Sequence, residues 1–509
     1  MVMRLSGLSS GLDIDQWVSD LMKAQRTRVD QQYQKKQILE WQREDYRSIN
    51  TKLLALRNAT FDLKLQGTFQ AKAATSSDTS VLTATAGTNS VVANYTVKVN
   101  SLASGVTKTS TAALSASKNA DGTTKTLAEQ FGIAGTVTFT LQGTVNGEAK
   151  EKAFSFDTAS TNIYNVLSEI NNANIGIKAS YDATLERFFL MTTSTGSQAE
   201  IHVKADDQGF LNNTLKLGSV TDPLKVGADE ANAYHGTNAS IDLNDAQGLT
   251  FSSNQFTVNG ITLNLKNTSA APVTVSVAND VDAVVEKIKT WVNAYNDAVG
   301  LMFTELNEER YRDYQPLTDE QKKEMKDKDI ERWEEKARSG LLKGDSLLYS
   351  VYNQIRSSAM ARVEGLTGSY TSLSSIGINT QSYQEGGKLY VDETKLREAL
   401  TNDPEGVMNL FTASSETASN QGLAVRLYDA VNNGMKSITD KAGSSSSYYD
   451  NSTIGKEISR INTTIDKMEE RLADLEDRYY RQFTAMEQAI QKMNMQSMWL
   501  SQQFSNNTQ

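Results

Sequence analysis

The residues that could carry chemistry are few, and their arrangement argues against an enzyme. The 509-residue chain has two histidines, His202 and His235, and no cysteine. Without cysteine, neither a disulfide nor a thiolate metal site can form. His202 sits between Ile201 and Val203 in an alternating segment, the place of a strand residue rather than of a catalytic base on a loop. No Walker loop, G-x-G-x-x-G, G-x-S-x-G elbow or H-E-x-x-H pair occurs. Asp242-Leu243-Asn244-Asp245 resembles the opening of a calcium loop, but the twelfth position would be Ser253, which supplies no bidentate carboxylate. Carboxylate pairs such as Glu334-Glu335 fall in charged helical runs, where a solvated face is the simpler reading. The expectation is no catalytic residue, no cofactor and no metal.

Composition narrows the partners. A net charge of −10 opposes binding to nucleic acid, which needs a basic stripe. No 18-residue apolar run is present, so no membrane insertion is expected. The start, Met1-Val2-Met3-Arg4-Leu5-Ser6-Gly7, lacks the apolar core of a secretory signal, so export would need a route that reads an uncleaved N-terminus.

The strongest pattern is structural. An apolar stripe stepping by four and three runs through Ile454, Ile458, Ile461, Ile465, Met468, Leu472, Leu475 and Tyr479, then Met486, Ala489, Met493 and Leu500. A period of about 3.5 residues held this long places a narrow seam on one long helix, which requires a partner helix. The same step recurs near the other end at Leu39, Tyr46, Ile49, Leu53, Leu56 and Leu63, interrupted by Gln42 and Thr60. Between residues 25 and 35 the seam fails, because Gln25, Arg28, Gln32 and Lys35 fill its positions. Residues 1–38 are therefore expected to be marginal in a free monomer and ordered on assembly. The apolar end formed by Met486, Ile490, Met493, Trp499, Leu500 and Phe504 suits an adaptable surface that packs against several partners in turn.

Between these ends the period changes. From residue 68 to about 275 the chain is rich in Thr, Ser, Ala, Val and Gly, and apolar residues alternate, as in Tyr95-Thr96-Val97-Lys98-Val99. Asn259-Gly260 marks a type I′ hairpin. Ile163, Val166, Leu167 and Ile170 lie on one helical face, and strands are expected after them. Val281 to Val299 reads as a helix with a wide apolar face, Thr318 with Gln321 as the capping box of a surface helix over 318–339, and Gly443 to Ser447 as a flexible linker. The resulting fold class is α+β multidomain, with terminal helices forming a coiled coil, a helix-rich leg and two β-rich head domains inserted in the middle. The expected divisions are 1–40 pairing with 450–509; 41–75 with 274–449 as the leg; 76–130 with 234–273 as one head domain; and 131–233 as an inserted α+β head domain.

Specific motifs then connect the chain to a family. Gly7-Leu8-Ser9-Ser10-Gly11-Leu12-Asp13-Ile14-Asp15 resembles the N-terminal signature of flagellar filament cap proteins, also called hook-associated protein 2. Tyr95 to Ala103, Trp291 to Asn296, Leu373 to Gly377 with Gly387 to Leu389, and above all Gln482 to Ile490 match in the same order, and Ile170 to Gly196 looks like a module shared among hook and filament proteins. The resemblance implies a homo-oligomeric plate, commonly a pentamer, at the distal tip of the bacterial flagellum. Such a plate promotes flagellin insertion, prevents loss of exported subunits and is needed for filament elongation and motility. It also implies hook–filament junction proteins, a cytoplasmic export chaperone and the flagellar export apparatus as partners, with secretion through that apparatus without a cleaved signal. The alternatives are a junction protein of the same system, a surface adhesin and a secreted hydrolase. Junction proteins share the helical ends but lack the Phe483 to Ile490 motif.

Overall fold

A computed structural model describes residues 13–219, 221–444 and 449–506, without the side chains of 504–506. Residues 7–12 of the N-terminal signature, most of the serine linker and the side chain of Phe504 lie outside the described residues. The chain divides into two compact units, Met1–Phe69 with Val281–Gln509, and Gln70–Asp280.

The first unit is helical. Its N-terminal helix, Ile14–Lys64, starts where the Asp13 carboxylate accepts the Gln16 N–H at 2.9 Å, satisfying one of the orphan donors of the first turn. It packs on Val281–Asn307, Leu423–Ala442 and the C-terminal helix Thr453–Asn506. Val281–Asn307 buries Val284, Val285, Ile288, Trp291, Val292, Tyr295 and Val299, a stripe wide enough to meet several helices at once. The expected surface helix over 318–339 is instead two, Asp319–Glu324 and Asp327–Arg338, with Met325 extended between them. The break lets Trp333 fold back. Its ring lies 4.6 Å from that of Tyr314, and its indole N–H donates to the Gln315 carbonyl at 2.8 Å. The Thr318–Gln321 capping box is formed.

The second unit holds two β cores. In one, a sheet ordered Lys72–Ser76, Val273–Asn279, Asn94–Ser101, Ala239–Leu243, Ala246–Phe251 shares buried Val97, Val99, Ile241 and Val275 with the three strands Gln255–Val258, Ile261–Leu265 and Leu82–Ala86. Asn259 and Gly260 both have positive φ, 50° and 78°, as a type I′ turn demands. In the other, a four-stranded sheet (Tyr234–His235, Glu200–Asp206, Thr136–Val145, Glu148–Asp157) and a three-stranded sheet (Thr107–Thr109, Arg187–Thr192, Ile177–Asp182) enclose a core with the helix Ile163–Asn172.

Two expected boundaries move. Lys72 pairs with Asn279 and Ser76 with Val275, so residues 70–75 and 274–280 belong to the β unit rather than to the leg. Lys72–Ser76 is an edge strand without large side chains, so no period announces it, whereas Val273–Asn279 lies inside the sheet and alternates through Val273, Val275 and Val277. Residues 104–130 join the inserted core instead of the first head domain. Thr107–Thr109 pairs with Arg187–Thr192, and Val106, Leu114 and Leu127 are buried there. The neck is at Ser104 and Thr237, whose backbones exchange hydrogen bonds at 2.9 and 3.0 Å.

Candidate functional site

The terminal helices form an antiparallel pair. Asp450 of the C-terminal arm meets Arg47 at 3.1 Å and Arg43 at 3.6 Å; Glu457 meets Lys35 at 3.2 Å; Glu469 accepts from the Tyr33 hydroxyl at 2.8 Å; and Phe483 stands edge-on to Trp17 at 5.9 Å. Moving outward along one helix thus moves inward along the other. Between these rungs, Val29, Ile461 and Ile465 are buried together, with Leu39, Met468 and Leu472 packed partly against them.

Burial along the C-terminal helix declines in steps. Ile454, Ile458, Ile461 and Ile465 are buried; Met468, Leu472, Leu475 and Tyr479 are half-buried, as is Ile490. Beyond them Met486 is exposed, and Met493, Met498, Trp499 and Leu500 are 62, 68, 58 and 47 % exposed. These four are large apolar side chains left in solvent at one end of a single helix, where scattered singles would need no comment but a cluster marks an interaction surface.

The N-terminal half of the expected seam has two different environments. Tyr46, Ile49, Leu53, Leu56 and Leu63 are buried in the helical unit, where their helix also meets Val281–Asn307 and Leu423–Ala442. They are therefore core residues of a multi-helix bundle, a correction to their reading as a two-helix seam. Three helices cover a stripe that one helix would leave half open. Only Leu39 of this group packs in the cluster with the C-terminal helix.

The polar interruptions have partners. Thr60 is fully buried; its hydroxyl donates to the Leu56 carbonyl at 2.7 Å and accepts from the Trp291 indole N–H at 3.1 Å. The Gln42 side-chain amide donates to the Leu341 carbonyl at 3.1 Å. In the stretch of failed seam, Val29 is buried, one position along from Arg28. Ile14 and Val18 are buried as well, and Trp41 nearly so, none of which the heptad reading singled out. Ile14 and Val18 were legible as a step of four; Val29 was not, because the register shifts by one residue there.

Electrostatics differ along the helix pair. Asp450 is partly buried, which would raise its carboxyl, but the Ser452 hydroxyl and N–H with the Arg47 and Arg43 guanidiniums hold it below the usual range. Lys35 does the same for Glu457, with Arg460 adding to it. Deeper in the helical unit, burial pushes Glu305 up to about 7, and the neighbouring Asp45 and Glu308 carboxylates push the same way. Burial likewise raises the Tyr46 phenol.

The sequence-flagged polar residues elsewhere build turns. The Asp242 carboxylate accepts the Gly248 N–H and the Asn100 side-chain amide, both at 2.9 Å, which holds it below the usual range. Asp242 stands in the strand before the hairpin that reverses through Asn244, whose φ is 51°.

Two long antiparallel helices on a helical unit, with a β-rich unit between them in the chain and a bare apolar helix end, define a structural protein built to assemble. Comparison with known proteins makes this specific. Residues 236–495 match the model of the flagellar hook-associated protein 2 C-terminus, and residues 10–106 match that of its N-terminus. A flagellar hook-associated protein 2 of Halalkalibacterium halodurans is 34% identical over 547 residues, spanning 99% of this chain and 100% of the relative. That of Escherichia coli K12 is 26% identical over 522 residues, 99% and 98% of the two chains. The crystal structure of the D1-D2-D3 domains of the flagellar cap protein FliD from Escherichia coli shares the fold, with a TM-score of 0.51 and 23% identity over 76% of this chain and 95% of that one. The chain belongs to the flagellar hook-associated protein 2 family, a structural cap family and not a family of enzymes. The two matched stretches leave residues 107–235, nearly all of the inserted core, between them. Among the described residues, no helix is long and apolar enough to cross a membrane.

Proposed function

We propose that the chain works as a homo-oligomeric plate, commonly a pentamer in this family, at the tip of the flagellar filament, where it promotes insertion of flagellin and retains exported subunits. One observation carries the reading. The C-terminal helix is anchored by Ile454 to Ile465 and ends in exposed Met493, Met498, Trp499 and Leu500. Such an end is sticky but weakly committed, and methionines repack readily against unlike surfaces. It can be held by a cytoplasmic chaperone before export, and afterwards by neighbouring cap subunits, flagellin or the junction proteins at the filament base. Export through the flagellar apparatus without a cleaved signal fits a chain free of disulfides.

The test is deletion of residues 487–509. It should abolish chaperone capture and leave cells that secrete unpolymerised flagellin and do not swim. Full-length filaments on such cells would show that the end is dispensable helix. End-on electron microscopy of the purified full-length protein gives the subunit number.

A further inference from the structure

The chain's only two histidines come together on one face of one sheet. Glu200 and His202 are two apart in the strand Glu200–Asp206, and His235 is the direct cross-strand partner of Glu200, so all three side chains share a face. Glu230 reaches the same place from the connection before His235, with its Oε1 3.3 Å from His235 Nε2. Glu200, His202 and Glu230 offer ligand atoms that all lie within 4.8 Å of one another.

The state of His202 is what points to a ligand. Its side chain is fully buried, and its Nε2 lies 2.8 Å from the Gly227 carbonyl, which can only accept, so Nε2 carries a proton. The other nitrogen, Nδ1, is buried without a hydrogen-bond partner and stands 3.2 Å from Glu200 Oε1. An unprotonated Nδ1 would present its lone pair to a carboxylate oxygen, which is repulsive unless a proton or a metal cation sits between them. Glu200 is itself buried, with Oε1 already accepting the Gln142 side-chain amide at 3.0 Å. An imidazole held through one N–H by a backbone carbonyl, with its other nitrogen turned to carboxylates, is the arrangement that orients a metal-ligating histidine.

We propose that Glu200, His202 and Glu230 form a site for a divalent transition cation of the zinc class, with His235 beside Glu230 to orient it. One imidazole nitrogen and two carboxylate oxygens are donor types such an ion takes in four-coordinate geometry with the fourth position open to water, where ligand atoms about 2.1 Å from the metal stand about 3.4 Å apart. The 3.2 Å between His202 Nδ1 and Glu200 Oε1 matches that spacing. Calcium and magnesium, which prefer six or more oxygens, fit poorly. The ion would tie the 224–235 connection to the strand beneath it. That connection is already laid down by Gly227 N–H to the Val203 carbonyl at 3.0 Å and Lys204 Nζ to the Ala228 carbonyl at 3.2 Å. In a chain without cysteine, this clasp would do for the inserted core what a disulfide does elsewhere.

The test uses the full chain, stripped of metal and titrated with zinc chloride by calorimetry at neutral pH. One equivalent should bind. His235→Ala and Glu230→Gln alter side chains that are 41 and 68 % exposed, so both variants keep the core, and each should weaken binding at least about tenfold. With two histidines in the chain, ring nitrogen resonances are assignable directly. Zinc should shift His202 Nδ1 while the Nε2 proton persists, and should raise the melting temperature of the wild type but not of the variants. Absence of binding, wild-type affinity in both variants, displacement of zinc by equimolar calcium chloride, or a doubly protonated His202 ring at saturating zinc would each overturn the assignment.

Discussion

Residues 46–63 and residues 14–39 belong to one unbroken helix, but the first keeps the apolar step while the second loses it between residues 25 and 35, and their surroundings differ as well. In the first stretch Tyr46, Ile49, Leu53, Leu56 and Leu63 are sealed, and even the polar Thr60 is buried with a specific partner in Trp291. In the second, only Ile14, Val18 and Val29 are buried, and the rungs to the C-terminal helix are one ion pair, one tyrosine hydroxyl and one aromatic edge contact. The seam period sets which face is apolar; the number of neighbouring helices sets how far that face leaves water. A thin two-helix pairing can be exchanged for another partner at modest cost. A bundle core cannot, because each of its side chains is fixed by several neighbours at once.

The largest test of this contrast is Leu53→Asp, which places a charge at a fully buried position. It should cost on the order of 4 kcal/mol and unfold the helical unit, seen as lost helical circular dichroism and a broken thermal transition. Leu472→Asp on the half-buried seam should cost about 1–2 kcal/mol, because the carboxylate can turn to solvent. Its visible effect should be smaller species in sedimentation with the β signal intact. Equal destabilisation by the two would erase the distinction between bundle and seam, and wild-type assembly of the Leu472 variant would remove that seam from the oligomer.

Thr60→Val sharpens the same comparison within the bundle. It strands the buried Trp291 indole N–H, so chemical denaturation should show a loss of about 1–2 kcal/mol. Removing the exposed rung in Tyr33→Phe should change stability by roughly 0.5 kcal/mol or less.

The smallest effect separates the regions by pH. Asp450 and Glu457 have folded values below the ordinary carboxylate range, so their contribution to helix pairing is present above that range and lost as the pH falls through the folded values. Glu305 runs the other way. Raised from 4.5 to about 7, it contributes stability that is present below 4.5 and lost as the pH climbs through 7. Amide hydrogen exchange should show the bundle around Glu305 tightening from pH 8 to 5, and the helix pairing between Lys35 and Arg47 loosening at pH 3. Parallel trends in both regions would mean that they open as one unit.

Much of this protein was legible in its residues because the relevant signals are local. The step of four and three, the change to a period of two and the Asn259-Gly260 turn report on each segment's own backbone, and the helices and the hairpin lie where those signals put them. The edge strand Lys72–Ser76 and the three-residue strand Thr107–Thr109 were not legible, being too short or too plain to show a period. Thr60 and Gln42 looked like faults in the seam because their partners, Trp291 and Leu341, are more than 200 residues away in the chain.

The sequence by itself determined the two long helices, the β-rich middle, the absence of any thiol chemistry and the apolar end after Ile490. The tertiary structure alone decided which half of the N-terminal helix is core and which is seam, since a repeat specifies a face but not what will cover it. It alone also brought His202 and His235 together. Each lies in an ordinary strand pattern, and only the antiparallel pairing of Tyr234–His235 with Glu200–Asp206 places the second imidazole across from Glu200, beside the first.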